Sequence, residues 1–269
     1  MQPSDYLSTI SAVAREAGAI VRAGYAQPRD IAFKGAVDLI TQYDTASEEL
    51  ILRRLREAHP EHDVFAEESG VSGTEARYVW VVDPIDGTTN FAHGFPAFAV
   101  SIALAERAGD RVVPLAGVVY DPLRDELFAA ARGAGATLNG ERLRVSTTAL
   151  LDRSLLATGF PYDIRTAGAP WNNLDLFAKM HLVAQGLRRA GAAALDLAYV
   201  AAGRLDGYWE LSTKPYDIAA GALLVEEAGG QLTDLYGRPT DYSGRTLLAT
   251  NGLIHGEALA VLQLTRALP

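Results

Sequence analysis

The segment Trp80-Val-Val-Asp-Pro-Ile-Asp-Gly-Thr-Thr-Asn-Phe91 is the most informative part of this chain. The residues from Tyr78 to Asp83 form an almost continuous apolar run that ends on an acid, which is typical of a strand buried on both faces. Pro84 cannot donate a backbone hydrogen bond, and Gly87 can adopt unusual dihedral angles. We therefore expect a buried strand that delivers Asp83 to its carboxyl end, where the chain turns at once.

Such a turn would aim the carboxylate of Asp83, the carbonyl of Ile85 and the carboxylate of Asp86 at one point. Hard divalent cations prefer oxygen ligands of this kind. The backbone N–H groups and hydroxyls of Gly87-Thr88-Thr89 follow directly and suit a phosphate group. The alternative for an isolated Asp-x-x-Asp is a turn closed by an Asx-type hydrogen bond, which binds no ligand.

Three further acids lie at the ends of predicted elements. Glu67 ends a strand, whereas Asp44 and Asp217 lie at helix N-termini, where an isolated acid is more often an N-cap than a ligand. If the fold gathers them with Asp83 and Asp86, bound cations are needed, because two like charges ~4 Å apart repel by about 4 kcal/mol at an effective dielectric of ~20. The sequence therefore predicts a metal centre if these acids meet.

The remaining chain divides into a strand-rich half, residues 1–150, and a half of alternating helices and strands, residues 151–269. The first helix follows Ser4 as a predicted N-cap, the second has Glu48 on its polar face, and Asn139-Gly140 predicts a tight hairpin. Residues Thr166 to Pro170 are predicted to form a bend. The predicted helices cover Leu7–Val21, Asp44–Ala58, Leu174–Gln185, Ala192–Ala202, Asp217–Ala228 and a last segment ending near Leu268, and the predicted strands cover Asp63–Glu67, Tyr78–Asp83, Phe98–Leu104, Val112–Tyr120, Glu126–Ala130, Leu155–Thr158, Leu205–Leu211 and segments near Leu232 and Leu247.

Composition excludes several classes of function. The chain has 269 residues, of which 49% are hydrophobic and 21% charged, so it carries enough apolar material for a folded core. Its net charge of −9 argues against nucleic acid as a ligand. Because cysteine is absent, disulfides, thiolate metal sites and cysteine nucleophiles are excluded. The five histidines are scattered, so no zinc site is predicted.

No membrane span or targeting segment is found, and we expect a cytoplasmic protein.

Three longer motifs together resemble the inositol monophosphatase family, the magnesium-dependent, lithium-sensitive phosphatases related to fructose-1,6-bisphosphatase. Similarity to this family runs from about residue 5 to residue 265. The motifs are Phe65-Ala-Glu-Glu-Ser69, the segment from Trp80 to Phe91, and Tyr208-Trp-Glu-Leu-Ser-Thr-Lys-Pro-Tyr-Asp-Ile-Ala-Ala-Gly221, with support from Gly191-Ala-Ala-Ala-Leu-Asp196.

The resemblance implies a fold of the α/β class (α+β layered), a five-layer α-β-α-β-α sandwich that forms one phosphatase fold over residues 1–269 and usually a homodimer. It also implies two to three Mg²⁺ ions. Glu67, Asp83 and the Ile85 carbonyl would hold the first ion, and Asp83, Asp86 and Asp217 the second. A third, weaker ion would lie near Glu67.

By the same resemblance, Thr88 hydrogen-bonds towards Asp44, and the two orient and deprotonate the attacking water with the help of Glu67. Lys34 either lends positive charge to the phosphate or is simply solvated. The implied substrate contacts are Ile85, Asp86, Gly87, Thr88, Gly191, Ala192, Ala193, Glu210 and Asp217.

The chain departs from the family pattern on the alcohol side, at Ala192, Ser212-Thr213 and Tyr216, so the substrate stays open. A phosphorylated polyol is expected, with inositol 1-phosphate favoured. The alternatives are fructose 1,6-bisphosphate, a nucleotide 3′-phosphate and the 2′-phosphate of NADP. A different class of function on the same fold is a regulatory protein that associates with RNA polymerase.

Overall fold

The computed structural model describes residues 2–28, 30–33, 39–73, 75–109, 111–161, 164, 172–243 and 245–264. The predicted bend at Thr166–Pro170 and Lys34 lie outside these residues. The helices are α1 (Leu7–Tyr25), α2 (Gln42–Ala58), α3 (Thr88–His93), α4 (Leu174–His181), α5 (Ala193–Ala201), α6 (Pro215–Glu227) and α7 (His255–Leu262). The strands are β1 (Ile31–Phe33), β2 (Leu39–Thr41), β3 (Asp63–Ala66), β4 (Gly70–Ser72), β5 (Tyr78–Asp86), β6 (Ala99–Ala108), β7 (Arg111–Asp121), β8 (Glu126–Ala131), β9 (Gly135–Leu138), β10 (Glu141–Arg142), β11 (Leu155–Thr158), β12 (Gly186–Arg188), β13 (Gly207–Leu211), β14 (Gln231–Thr233) and β15 (Thr246–Thr250).

The strands form two large sheets and one short ladder. The larger sheet has eight strands in the order β10-β9-β8-β7-β6-β5-β3-β4, and β3 and β5 in it are parallel neighbours. The smaller has five strands in the order β12-β11-β13-β15-β14, while β1 pairs with β2. One core cluster contains side chains from both sheets, so a division into halves near residue 150 stays a prediction.

Alternation along the strands arranges the molecule in layers. In β5, Trp80 and Val82 pack with α1 and α2, whereas Val79 and Val81 point to the other face and pack with α5 and α6. Helices α5 and α6 also pack on the smaller sheet, whose far face contributes Trp209 to a third cluster with α4 and α7. The layer order is therefore α-β-α-β-α, which confirms the predicted fold.

The middle helical layer is closely packed because glycines stand at its contacts. A Cβ on Gly221 of α6 would lie 2.6 Å from Cβ of Leu197 in α5, and one on Gly117 of β7 would lie 2.9 Å from Cα of Ala220. Real Cβ atoms do not approach so closely. These contacts pack α6 closely against α5 on one side and against the larger sheet on the other.

Two local predictions were confirmed, the hairpin at Asn139-Gly140 and the glycine that follows α5. Asn139 and Gly140 have φ values of 49° and 90°, and they join β9 to β10 with Leu138 opposite Glu141. Gly203, with φ 68°, follows α5 as expected.

Other predictions were wrong at element ends. Ser4 is not the N-cap of α1, because residues Pro3–Tyr6 form a 3-10 turn and Tyr6 is the residue before the helix. Helix α4 ends at His181 rather than Gln185, since the chain turns there towards the unpredicted strand β12. Helix α7 ends at Leu262, before the predicted end near Leu268, which lies outside the described residues.

Candidate active site

The segment that carries both central acids is a bulged strand rather than a strand followed by a turn. Asp83 lies opposite Ser101 and Asp86 opposite Ala99, so three steps along β5 match two along β6. In a regular strand, residues three apart face opposite sides of the sheet, whereas the extra residue restores a common side. The predicted turn directly after Asp83 is therefore wrong, although its expected effect holds, because Asp83 and Asp86 line the same cleft.

Gly87 ends this strand and starts the short helix α3. Its φ of 92° disfavours any other residue, and an added Cβ would lie 2.9 Å from the carbonyl oxygen of Ala97. The next residue, Thr88, is the first of α3, so its backbone N–H is one of those without an intrahelical acceptor.

Four carboxylates meet in the cleft at the carboxyl ends of the parallel strands β3 and β5. They belong to Glu67, Asp83, Asp86 and Asp217, with Ile85 beside them. Burial, followed by the negative charges of Glu67, Asp86 and Asp217, raises the pKa of Asp83 well above its ordinary value. Burial also raises the pKa of Asp86 to about 7, against the opposing effect of hydrogen bonds from backbone N–H groups. The crowding of like charges expected from the sequence is therefore present.

Two of these acids also make the structural contacts that were the alternative to metal binding. Asp83 Oδ1 accepts from Ile85 N at 3.0 Å, which is the Asx-type hydrogen bond. Asp217 Oδ2 accepts from Lys214 N at 2.6 Å, which caps α6. A carboxylate offers about four lone-pair sites, so one accepted hydrogen bond leaves room for a cation. Each acid can therefore make its structural hydrogen bond and also bind a cation.

Asp86 joins the two halves of the site. Its carboxylate accepts from Ala193 N at 3.1 Å and from Ala194 N at 2.8 Å, at the start of α5. The N-cap Ala192 has no side chain to do this, so Asp86 caps the helix from another element. Asn90 Nδ2 donates to the carbonyl of Ala190 at 2.7 Å and fixes the preceding loop. As a result Gly191, Ala192 and Ala193 line the cleft, as predicted.

Thr88 and Asp44 form the predicted hydroxyl–carboxylate pair. Thr88 Oγ1 lies 2.9 Å from Asp44 Oδ1 and 3.0 Å from the Ile85 carbonyl. Asp44 is fully buried behind Thr88 and does not line the cleft. Burial raises the pKa of Asp44, and hydrogen bonds from Thr41 and Thr88 oppose that rise.

Side chains on one face of α2 hydrogen-bond to the backbone of the segments that carry the cleft acids. The role of Glu48 in this was not predicted from the sequence. Ser47 Oγ donates to the carbonyl of Pro84 at 3.0 Å, and the two carboxylate oxygens of Glu48 accept from the backbone N–H groups of Glu68 and Ser69, both at 2.9 Å. Glu48 was expected on the polar face, yet it is only 4% exposed. Its position four residues after Asp44, on the same helix face, is the signal that could have indicated this role.

The alcohol side of the cleft contains the predicted Glu210 and three residues that were not predicted. Burial, and then the charge of Asp217, raises the pKa of Glu210 well above its ordinary value, while the charge of Arg189 opposes the rise. The Tyr208 hydroxyl donates to the Glu210 carboxylate. Asp196, only 3% exposed, also lines the cleft, and burial followed by the charge of Asp86 raises its pKa. Arg189, Asp196 and Tyr208 are thus additions to the predicted residue set.

Comparison with known proteins gives one consistent answer. The model of the inositol monophosphatase family matches residues 2–266. An inositol-1-monophosphatase of Synechocystis is 46% identical over 270 aligned positions, covering 98% of this chain and 91% of the relative. The Nus factor SuhB of Escherichia coli is 43% identical, covering 92% of this chain and 90% of the relative. The solved inositol monophosphatase of Anabaena superposes with a TM-score of 0.86 at 43% identity, covering 96% of this chain and 95% of that one.

A search of the described residues found no helix that combines the length and the apolar character needed to cross a membrane.

Proposed function

The chain belongs to the inositol monophosphatase family, and we propose that it hydrolyses inositol 1-phosphate with the help of Mg²⁺. The single observation that carries the proposal is the meeting of four carboxylates with Gly87 and Thr88 in one cleft. Phosphate monoesters hydrolyse extremely slowly without a catalyst, so charge stabilisation and positioning must supply most of the acceleration. A cleft of carboxylates provides both only when cations occupy it.

The residues present fit magnesium. Every candidate ligand is an oxygen, from the carboxylates of Glu67, Asp83, Asp86 and Asp217 and the carbonyl of Ile85, and Mg²⁺ prefers such hard ligands. The raised pKa of Asp83 supports the same assignment, because the charges that raise it have to be balanced before all four acids can ionise together. We propose two to three ions, with Asp83 shared between two of them. When bound, they would stabilise charge on the phosphoryl and leaving oxygens and lower the pKa of the attacking water.

Thr88 and Asp44 would move the proton. With its own hydrogen directed to Asp44 Oδ1, the Thr88 hydroxyl presents a lone pair that can accept a hydrogen bond from water. As the water attacks phosphorus in line with the leaving alcohol, its proton passes to Thr88 Oγ1 and the threonine proton passes to Asp44. The leaving oxygen then takes a proton from solvent. We assign phosphate binding to the backbone N–H groups of Gly87 and Thr88.

The alcohol portion of the substrate would bind on the side of Glu210 and residues 191–193. The Glu210 carboxylate can accept hydrogen bonds from neighbouring hydroxyls of a cyclitol, and such charge-assisted bonds are about twice as strong as neutral ones. The Synechocystis relative is an inositol-1-monophosphatase, which supports inositol 1-phosphate as the substrate. We propose as well, from the family resemblance, that the protein is a cytoplasmic homodimer, which light scattering and fractionation can test.

The decisive experiment is phosphate release from inositol 1-phosphate by purified protein, with and without Mg²⁺, beside the Asp83→Asn variant. We expect magnesium-dependent turnover in the wild type and none in the variant. Fructose 1,6-bisphosphate, NADP and a nucleotide 3′-phosphate in the same assay would show by kcat/KM whether another ester is preferred. Absence of magnesium-dependent turnover on the whole panel would contradict the proposal.

A regulatory role is the second candidate, since the Nus factor SuhB is 43% identical to this chain. A purely regulatory protein needs no intact metal centre, whereas the acids, the threonine and the loops of this cleft are all present together. Binding of RNA polymerase by the wild type and by Asp83→Asn, measured side by side, would separate a regulatory surface from the catalytic site.

A further inference from the structure

We propose that His59, Glu61 and His62 form a second metal site, chemically different from the carboxylate cleft, that binds a borderline divalent cation of the Zn²⁺ type. The histidines looked scattered in the sequence, but the fold brings these two together at the end of α2. The three potential ligand atoms all lie within 4.8 Å of one another. The inference does not depend on phosphatase activity.

A tight turn over residues 59–62 brings the side chains of the site together. His59 is the residue after α2, and its carbonyl accepts a hydrogen bond from His62 N at 3.2 Å. Pro60 occupies the second position of this turn, where its fixed φ favours the conformation. The turn brings the two imidazole rings to a centroid separation of 5.0 Å with Glu61 between them in sequence. The backbone therefore brings the three side chains together. The two rings are stacked with their planes 6° apart, and because a metal ion binds in the plane of an imidazole, one ring has to rotate for both to share an ion.

Two of the three spacings between ligand atoms are close to those around a tetrahedral ion, and the third is within 4.8 Å. Glu61 Oε1 lies 3.6 Å from His59 Nδ1 and 3.2 Å from His62 Nε2. Ligands bonded at 2.0–2.1 Å to a tetrahedral Zn²⁺ are about 3.3 Å apart. Two imidazoles and one carboxylate suit Zn²⁺ and its neighbours among the transition metals, whereas Mg²⁺ prefers oxygen alone. The two metal sites should therefore select different cations.

The surroundings of His62 determine which of its two ring nitrogens can bind a metal ion. Its side chain is 3% exposed, and its Nδ1 is buried with no hydrogen-bond partner among the described residues. Nε2 is thus the nitrogen that faces the exposed Glu61 carboxylate. Tightly bound ligand histidines usually donate their other N–H to an acceptor. Because Nδ1 lacks one, we expect micromolar rather than nanomolar affinity for Zn²⁺.

The competing interpretation is a simple hydrogen bond from a neutral His62 to the Glu61 carboxylate. Both interpretations use the same atoms, so only a metal titration separates them. The test uses the full chain labelled with ¹⁵N-histidine, in buffer with millimolar Mg²⁺ to occupy the carboxylate cleft, and Zn²⁺ is added to about one equivalent. We expect the imidazole resonances of His59 and His62 to shift, and those of His93, His181 and His255 to stay in place.

Calorimetry with matched variants measures the same site independently. Glu61→Gln and His59→Phe should each weaken Zn²⁺ binding by at least about tenfold, because each removes one ligand. Phenylalanine keeps a flat ring against Tyr6, whose ring centroid lies 5.0 Å from that of His59. Glu57→Gln makes the same charge change one turn away and should bind Zn²⁺ like the wild type.

Two results would overturn the proposal. One is the absence of any shift at His59 and His62, which would leave only the hydrogen-bonded pair. The other is Zn²⁺ binding that survives Glu61→Gln and His59→Phe unchanged but is lost in Asp83→Asn, which would place the ion in the carboxylate cleft.

Discussion

Without metal ions, the protein should lose stability as the pH rises from about 5 to about 7, and Asp83→Asn should reduce that loss. The reason is the Asp86 carboxyl, whose pKa is about 7 in the folded protein against an ordinary value of 3.8. A raised pKa means that the folded state holds the proton more tightly than the unfolded state. The stability that this group contributes is therefore complete below about pH 3.8 and is lost as the pH rises through 7.

The size of the effect follows from the difference between the folded and unfolded pKa values of Asp86, about 7 and 3.8. This difference corresponds to about 4 kcal/mol of unfolding free energy, of which about 2 kcal/mol is lost between pH 5 and pH 7. The pKa of Asp83 is raised in the same direction, so the total loss from the cleft is larger. Asparagine is nearly isosteric with the protonated acid, so Asp83→Asn should match the wild type at the lower pH and exceed it at the higher one.

Urea unfolding in the presence of a chelator, at both pH values and for both proteins, measures these free energies. Burial lowers the pKa values of His62 and His255, so their contributions to stability change with pH in the opposite direction. Their effect is common to the two proteins and cancels in the difference between them. Parallel pH dependences for the wild type and Asp83→Asn would refute the argument that crowded acids destabilise the metal-free site.

Three further predictions concern the working enzyme. Millimolar Li⁺ should inhibit turnover at limiting Mg²⁺ in an uncompetitive or mixed manner, and an unchanged rate would show that the site formed with Asp217 is not as described. Glu210→Gln should raise KM for polyol phosphates by roughly tenfold, equivalent to ~1.4 kcal/mol of binding, while activity on p-nitrophenyl phosphate changes little; equal losses on both would mean that Glu210 supports the metals or the fold. Glu48→Ala should increase the Mg²⁺ concentration needed for half-maximal activity, because the loop after Glu67 loses two backbone contacts, and the exposed neighbour variant Glu49→Gln is the control that should behave like the wild type.

Most elements were predicted from the sequence because they depend on local periodicity, whereas the five-layer order was implied by the family resemblance. Strand β5, the hairpin at Asn139-Gly140 and the helices of the second half all carry their pattern in consecutive residues. The bulge between Asp83 and Asp86 was missed because it depends on the register against β6, which a single strand does not encode. The end of α4 was misplaced because it depends on the strand that follows it.

The candidate site was predicted largely through family motifs, and the residues outside those motifs were overlooked. Glu48 was assigned to the polar face because an acid in an amphipathic helix is usually solvated. Its burial becomes clear only when the loop of Glu68 and Ser69 is folded over it. His59 and His62 illustrate the same limit, since their proximity depends on the turn that follows α2.

The hydrogen bonds between Asp86 and the start of α5 can form only after Ala193 and Ala194 have been synthesised. The two partners are 108 positions apart in the case of Ala194. At about 5–20 residues per second, the ribosome adds Ala194 roughly 5–20 s after Asp86. During that interval the nascent chain carries three of the four cleft carboxylates, those of Glu67, Asp83 and Asp86, without the amide groups that will restrain Asp86. The carboxylate cleft is therefore completed late in translation, when a segment that follows Asp86 by more than 100 positions folds against it.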